Sequence, residues 1–296
     1  MQNSVRLPAF AKINLSLRVL GRRADGYHEL RTVFQAVSLR DTLELSLTSR
    51  PGIQLETDDP ALPCGRENLV YRAMEAMALE LGLRQGVRAR LEKRIPVGRG
   101  LGGGSSDAAA ALVGLLRLTK KKLPLGRLLE MAAGLGADVP FFLFGGRALA
   151  VSRGDEIYPL PDLPKRTILI VSPRGVAVNT KEAYEWLSAE LTNRPETPSI
   201  WEFCALCWSR RGTLSNDFEG PVFRRHPRLG EIRDAVLERG ATEAALAGSG
   251  SAVFGIFRNP AQARRAARTF QEDSVFVVET LSREKYGRAL GWRVTG

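Results

Sequence analysis

The sequence predicts an α+β protein, in which groups of antiparallel strands alternate with helices. Residues 5–20 alternate apolar and polar side chains, a pattern typical of a half-buried strand. Residues 67–83 place apolar side chains at helical spacing and stop at Gly82. Strands and helices do not follow one another in the strict βαβ order of a parallel sheet. These observations together favour α+β over a doubly wound fold.

The other elements of the first half follow in chain order, with Gly, Asp and Pro turn signals between them. After the turn at 22–26, alternation predicts strands at 31–38, 41–48, 53–57 and 87–95. Helical spacing predicts helices at 105–118 and 124–134, before the apolar run 139–144.

The second half carries the same mixture of elements. Strands are predicted at 148–152, 167–172 and 274–281, with a strand–loop–strand unit at 242–257. Helices are predicted at 180–191, 199–209, 228–239 and 260–271. A turn at 153–155 suggests a division into an N-terminal domain of residues 1–153 and a C-terminal domain of residues 154–296.

Composition excludes several classes of protein. With 44% hydrophobic and 25% charged residues among 296, the chain is not disordered as a whole. No apolar run approaches the ~18 residues that span a bilayer. The N-terminus has no apolar leader and there are three cysteines, so we expect a cytoplasmic protein without disulfides.

The net charge of +11 is compatible with nucleic acid, an acidic membrane surface or a polyanionic small substrate. Single-strand binders interleave basic residues with stacking aromatics, and this chain has no such run. We therefore expect small-molecule substrates, no nucleic acid and no membrane partner.

The strongest local motif is a glycine-rich loop that follows a strand and opens a helix. Five glycines lie within residues 98–104, so the backbone can adopt positive φ angles and approach a ligand closely. Free N–H groups and the helix dipole make such a helix start an anion site. A tight turn with a helix cap is the alternative. The common P-loop pattern is absent, and no acidic residue follows at the spacing of a dinucleotide site.

Two further loops hold candidate residues. Asp138 follows two glycines and precedes an apolar run, so it is either a general base or a turn aspartate. Gly248, Ser249 and Gly250 separate two apolar strands, where they form either a hairpin turn or a backbone cradle for anionic oxygens.

Taken together, these motifs resemble the GHMP kinases, and most closely the branch of 4-diphosphocytidyl-2-C-methyl-D-erythritol kinases. The matching segments, in family order, are residues 9–15, 21–30, 96–106, 136–140 and 215–219. The resemblance implies a two-domain fold with the active site in the interdomain cleft. It implies phosphorylation by ATP, with Mg²⁺, of the 2-hydroxyl of 4-diphosphocytidyl-2-C-methyl-D-erythritol in non-mevalonate isoprenoid synthesis. We expect a monomer or weak homodimer.

The resemblance also implies residue roles. Lys12 and Asp138 match the catalytic pair. The residues expected to bind ATP are Pro96, Val97, Gly98, Arg99, Gly100, Leu101, Gly102, Gly103, Gly104, Ser105 and Ser106. Those expected to bind the acceptor are Asn14, Tyr27, His28, Tyr184, Gly248, Ser249 and Gly250. No dedicated protein ligands are expected for Mg²⁺, which would enter with ATP near Ser106 or Asp107.

Two alternatives remain open at this point. Another GHMP small-molecule kinase would share the loops but not the Tyr27–His28 pair. An RNA-binding protein could share the N-terminal fold, although it would have no need for Lys12 and Asp138 together with the glycine loops. Cys204 and Cys207 have Cys-x-x-Cys spacing, but too few other ligands are present for a zinc site.

Overall fold

The computed structural model describes residues 4–191 and 214–294, and contains two sheets. The strands are β1 (Ser4–Arg22), β2 (His28–Thr48), β3 (Ile53–Thr57), β4 (Gly86–Glu92), β5 (Arg147–Val151), β6 (Glu156–Pro159), β7 (Thr167–Ser172), β8 (Ser215–Asn216), β9 (Glu243–Leu246), β10 (Val253–Phe257) and β11 (Ser274–Glu279). The first sheet has seven strands, in the order β3-β4-β2-β1-β8, with β5 paired to β2 and β6 to β5. The second has four, in the order β11-β7-β10-β9.

The helices divide between the two sheets. They are α1 (Leu69–Glu80), α2 (Gly103–Thr119), α3 (Leu125–Leu135), α4 (Val139–Phe144), α5 (Thr180–Leu191), α6 (Glu219–Arg225), α7 (Pro227–Glu238), α8 (Pro260–Ala267) and α9 (Arg283–Leu290). Helices α1 to α4, with α9, share a hydrophobic core with the seven-stranded sheet. Helices α5 to α8 share a second core with the four-stranded sheet. The α+β prediction is confirmed.

Helix α2 is the central helix of the first core, and most of its residues are buried. At Gly114, in the C-terminal half of the helix, a Cβ would lie 2.4 Å from Leu45 Cδ1 and 3.0 Å from Leu7 Cδ1. The missing side chain lets the helix lie directly on β1 and β2, and so fixes the height of its N-terminus relative to the sheet.

The polar face of strand β1 is buried, which bears on function. Alternation predicts one buried, apolar face for this strand, yet Lys12, Asn14 and Ser16 on its polar face are buried as well. Register shifts interrupt its pairing with β2 between Phe10 and Lys12 and again between Asn14 and Ser16. Other parts of the fold cover this face. Its polar side chains therefore indicate a site and do not face solvent.

Some elements were missed or merged. The predicted strands 31–38 and 41–48 are one strand, β2. Strand β6 and helix α9 were not predicted.

The predicted domain boundary falls in the turn between β5 and β6, which pair with each other, and it stays a prediction. The predicted helix 199–209, with Cys204 and Cys207, lies outside the described residues. Within 4–191 and 214–294, no helix is long and apolar enough to cross a membrane.

Candidate active site

Two cavities, of about 330 Å³ and 800 Å³, lie on either side of the glycine-rich loop. The smaller is lined by residues 96–105 together with Asn68, which precedes α1, Leu69 of α1 and Leu91 of β4. The larger lies between β1, β2 and α5. Gly100, Gly102 and Ser105 line both cavities, so the loop separates two compartments that meet at its backbone.

The loop glycines are required by the geometry. Gly98, Gly100 and Gly102 have φ of 68°, 77° and 72°, which is left-handed backbone. A Cβ on Gly100 would lie 1.8 Å from the Ala247 carbonyl oxygen, so the loop touches the backbone of the 247–251 loop. Gly102 is the N-cap of α2, which begins at Gly103, two residues before the predicted start.

Lys12 is the buried cation of the larger cavity. Its ammonium donates to Asn14 Oδ1 at 2.9 Å and lies 4.9 Å from the centre of the Phe34 ring. Asn14 in turn donates to Thr32 Oγ1 at 2.8 Å. The backbone N–H of Lys12 donates to the carbonyl oxygen of Leu101 at 2.9 Å, so β1 and the glycine-rich loop are directly joined.

Asp138 is the carboxylate that faces this cation. It directly precedes α4, and its Oδ2 lies 3.4 Å from Lys12 Nζ. The Lys12 side chain is 5% exposed and that of Asp138 is 32% exposed. A buried ammonium thus holds a partly open carboxylate at the mouth of the cavity, which is the arrangement a general base needs to reach a hydroxyl.

The 248–250 loop closes the cavity from the second sheet. The hydroxyl oxygens of Ser249 and Thr180 lie 3.0 Å apart, and a Cβ on Gly248 would be 3.5 Å from Lys12 Nζ. Asn216 donates to the carbonyl oxygens of Leu246 and Gly248 and so holds this loop. Gly250 does not line either cavity, and its role as a binding residue stays a prediction.

Three of the predicted acceptor residues, Tyr27, His28 and Tyr184, line the larger cavity and are called the aromatic subsite below. The His28 ring stacks on Tyr184, with centroids 4.5 Å apart and planes 18° apart, and Phe218 packs edge-on against Tyr184. Ser188 contacts His28 Nε2 at 2.8 Å. Burial, together with the charge of Arg22, lowers the pKa of His28, so the imidazole is neutral at neutral pH. Tyr27 is 55% exposed, and the Arg153 guanidinium lies 4.9 Å from the centre of its ring.

Below the glycine-rich loop lies a buried charge cluster formed by Asp41, Lys93 and Asp107. Lys93 Nζ donates to Asp41 Oδ2 at 2.5 Å and to Asp107 Oδ2 at 2.7 Å. Burial raises the pKa of Asp107 to about 8, although the Lys93 charge opposes that rise. Desolvation of Lys93 is outweighed by the two carboxylates, which raise the pKa of its ammonium.

Ser106, which the resemblance assigns to ATP, has a buried hydroxyl with no partner among the described residues and lines neither cavity, so its role in ATP binding stays a prediction. Sequence reasoning missed three residues in or beside the site. Asn68 caps α1 by accepting from Val70 N–H and lines the smaller cavity; the Asn-x-x-apolar pattern before a helix could have found it. Asp41 and Lys93 carry no local signal, because only the fold brings them together.

Comparison with known proteins decides the family. The GHMP kinases N terminal domain family matches residues 68–146, and the GHMP kinases C terminal family matches residues 193–274. A 4-diphosphocytidyl-2-C-methyl-D-erythritol kinase of Solibacter usitatus is 45% identical over 97% of this chain and 91% of its own length. One of Moorella thermoacetica is 43% identical over 90% of this chain and 94% of its own length.

The chain belongs to the GHMP kinase family. A crystal structure of 4-(cytidine 5'-diphospho)-2C-methyl-D-erythritol kinase, 40% identical, superposes with a TM-score of 0.77 over 93% of this kinase and 99% of that chain. A homoserine kinase from Cytophaga hutchinsonii shares the fold, with a TM-score of 0.74 over 95% of this kinase and 96% of that chain, at 21% identity. The kinase is therefore an ATP-dependent enzyme that phosphorylates a small molecule.

Proposed function

We propose that the protein transfers the γ-phosphoryl group of ATP to the 2-hydroxyl of 4-diphosphocytidyl-2-C-methyl-D-erythritol. The observation that carries the proposal is the Lys12–Asp138 pair, 3.4 Å apart, beside the glycines at which the two cavities meet. A phosphoryl group bound on the loop and a hydroxyl bound in the larger cavity would meet there. The names of the relatives support this choice of acceptor.

ATP would bind in the smaller cavity. Its phosphates would lie along residues 96–105, where left-handed glycines leave the backbone bare and α2 presents its N-terminus. Apolar side chains that line the same cavity, Leu69 and Leu91 among them, offer a surface for the adenine ring.

The acceptor would bind in the larger cavity. Tyr27, His28 and Tyr184 offer aromatic faces for a cytosine ring. Arg22, Arg153 and Lys181 also line this cavity, and three cations suit a diphosphate. Gly248 and Ser249 would contact the same anionic oxygens, and Asn14 would lie at the sugar end beside Lys12.

Phosphoryl transfer depends mainly on positioning and charge neutralisation. As the acceptor oxygen forms a bond to the γ-phosphorus, the bond from that phosphorus to the bridging oxygen breaks and ADP leaves. The hydroxyl proton passes to the Asp138 carboxylate, whose outer face is open to the cavity. Lys12 holds Asp138 in place and stabilises the negative charge that develops on the reacting oxygens.

Mg²⁺ would come with the nucleotide, shielding the phosphate charge. Among the described residues, no group of three or more His, Cys, Asp or Glu side chains could form a dedicated metal site. The buried Ser106 hydroxyl and Asp107 Oδ1 have no protein partner, and such oxygen donors suit a magnesium ion that keeps most of its ligands from phosphates and water.

The test is an ADP-release assay with four acceptors at equal concentration: the diphosphocytidyl substrate, mevalonate, homoserine and galactose. We expect turnover with the first alone. Turnover with another acceptor instead would identify a different GHMP kinase. A protein that released no ADP with any of them but bound RNA would fit the RNA-binding alternative. The monomeric or weakly dimeric state also remains a prediction.

A further inference from the structure

The transfer described above gives no bond-making or proton-transfer step to the buried charge cluster of Asp41, Lys93 and Asp107, although Lys93 and Asp107 also line the smaller cavity. We propose that it positions the ATP-binding loop, by tying the residues that precede the loop and the helix that follows it to one ammonium group. This inference rests on the proposed assignment of residues 96–105 to ATP.

The cluster holds the start of the loop through Asp41. Its Oδ1 accepts from the backbone N–H groups of Arg94 at 2.5 Å and Ile95 at 2.8 Å, the two residues before Pro96. Its Oδ2 accepts from Lys93 Nζ. One carboxylate on β2 therefore binds both the backbone that enters the loop and the ammonium behind it.

The cluster holds the end of the loop through Asp107. This residue is on the second turn of α2, and its Oδ2 accepts from the same ammonium at 2.7 Å. The first turn of α2 packs closely on the cluster: a Cβ on Gly103 would lie 3.3 Å from Lys93 Nζ and 3.0 Å from Ile95 Cγ2. The helix that presents its N–H groups to the smaller cavity is thus fixed from below.

The segment between these anchors has little to hold it by itself. Glycine backbone has the most conformational freedom to lose, and three of the residues between the anchors are left-handed glycines. Fixing both ends before the nucleotide arrives lowers the ordering cost of binding. The side chains of Asp41, Lys93 and Asp107 are 0%, 7% and 3% exposed, so water does not compete for the anchors.

The variant that tests this is Asp107→Leu, which removes the helix anchor and leaves Lys93 paired with Asp41. Lys93→Met is less useful, because it leaves two buried carboxylates without their cation and is expected to unfold the protein. Asp107→Asn is the conservative rescue, since an amide oxygen still accepts from the ammonium. Leu112→Ala is the matched control, because it removes apolar packing from the same helix without touching the cluster.

The measurement is calorimetric titration of each folded variant with β,γ-imido-ATP, with Mg²⁺ and again with EDTA. We expect Asp107→Leu to weaken binding by about tenfold or more in both conditions, a change of about 1.4 kcal/mol per decade. Asp107→Asn should restore affinity to within about threefold, and Leu112→Ala should keep it within about twofold.

Three results would overturn the inference. The first is wild-type affinity in folded Asp107→Leu. The second is a loss seen with Mg²⁺ alone, which would make Asp107 a metal ligand. The third is an equal loss in Leu112→Ala, which would reflect general destabilisation. Gly98→Val tests the assignment of the loop to ATP separately from the role of the charge cluster. A Cβ at this position would meet no atom within 4 Å, yet the φ of +68° is strained for valine. Unchanged affinity there would refute the ATP assignment, and the inference with it.

Discussion

Lys12 carries a charge in a buried position, from which charged side chains are ordinarily excluded. Its ammonium is tolerated because Asn14, Asp138 and the face of Phe34 surround it. The cost of burial is offset by these contacts, and in return the cation is held rigidly beside the glycine-rich loop. An ammonium free in solvent would be too mobile and too screened to stabilise charge at one reacting atom.

At the residue scale, Tyr27 offers the cleanest test of the aromatic subsite, because it is 55% exposed and its loss should not disturb the core. Stacking on an aromatic face contributes about 1–3 kcal/mol per base. Tyr27→Ala should therefore raise the KM for the cytidine substrate by roughly tenfold to a hundredfold and leave the ATP KM unchanged. Tyr158→Ala is the control, equally exposed at 53% and outside both cavities. A rise in the ATP KM alone would mean that the two cavities are assigned the wrong way round.

His28 gives a pH-dependent prediction. Burial and the charge of Arg22 lower the pKa of His28 from the ordinary 6.5. As the pH falls, the unfolded chain therefore binds a proton at this position at a higher pH than the folded protein does. The stabilisation by the neutral imidazole is therefore complete above pH 6.5 and is lost as the pH falls below that value. Urea unfolding of wild type and His28→Gln should show a constant difference in stability from pH 7 to 8, and a loss of wild-type stability relative to the variant below pH 6.5. A difference that stayed constant down to pH 5 would contradict the lowered pKa.

Sequence patterns could predict some residues of the site but not others. The glycine-rich loop is readable because glycines and a helix start are neighbours in the chain. Asp41, Lys93 and Asp107 are separated by 52 and 14 residues, and nothing local indicates that they meet. Lys12 and Asn14 are readable only in part: alternation places them on one face, but the cover over that face comes from distant segments.

At the scale of elements, α9 was missed because half of its residues are charged and only Tyr286 and Leu290 are large apolar side chains. Both are buried against the first core. Two positive-φ glycines after α4 allow the approach, since a Cβ on Gly145 would lie 2.1 Å from Tyr286 Cδ1. The C-terminal helix thus packs against the end of the short helix that Asp138 precedes.

This contact predicts a structural effect of Tyr286→Phe. The Tyr286 hydroxyl donates to the Phe142 carbonyl oxygen at 2.7 Å in a fully buried position. Its removal leaves a buried acceptor without that donor, which should lower the free energy of unfolding by about 1–3 kcal/mol. Chemical denaturation measures this, with Tyr158→Phe as an exposed control expected to change little. An unchanged midpoint in Tyr286→Phe would show that the hydrogen bond does not stabilise α4.

At the scale of the whole molecule, the site depends on contacts between the two sheets. Lys12 and the glycine-rich loop belong to the first sheet and its helices, whereas Ser249 and Tyr184 belong to the second core and its loops. The parallel pairing of β8 with β1 and the contact of Gly100 with Ala247 join them. The α+β class was predictable from local patterns, but β8 was not, because two residues are too few for a strand signal and their pairing is set by distant parts of the chain.

Single-turnover kinetics of Asp138→Asn show whether Asp138 accepts the hydroxyl proton at the meeting point of the two cavities. With both substrates saturating, we expect the transfer rate to fall by about 10²- to 10⁴-fold, because the amide cannot accept the proton. Calorimetry should show that β,γ-imido-ATP and the cytidine substrate still bind, since neither cavity is blocked. A transfer rate within a few-fold of wild type in the folded variant would show that Asp138 is not the base.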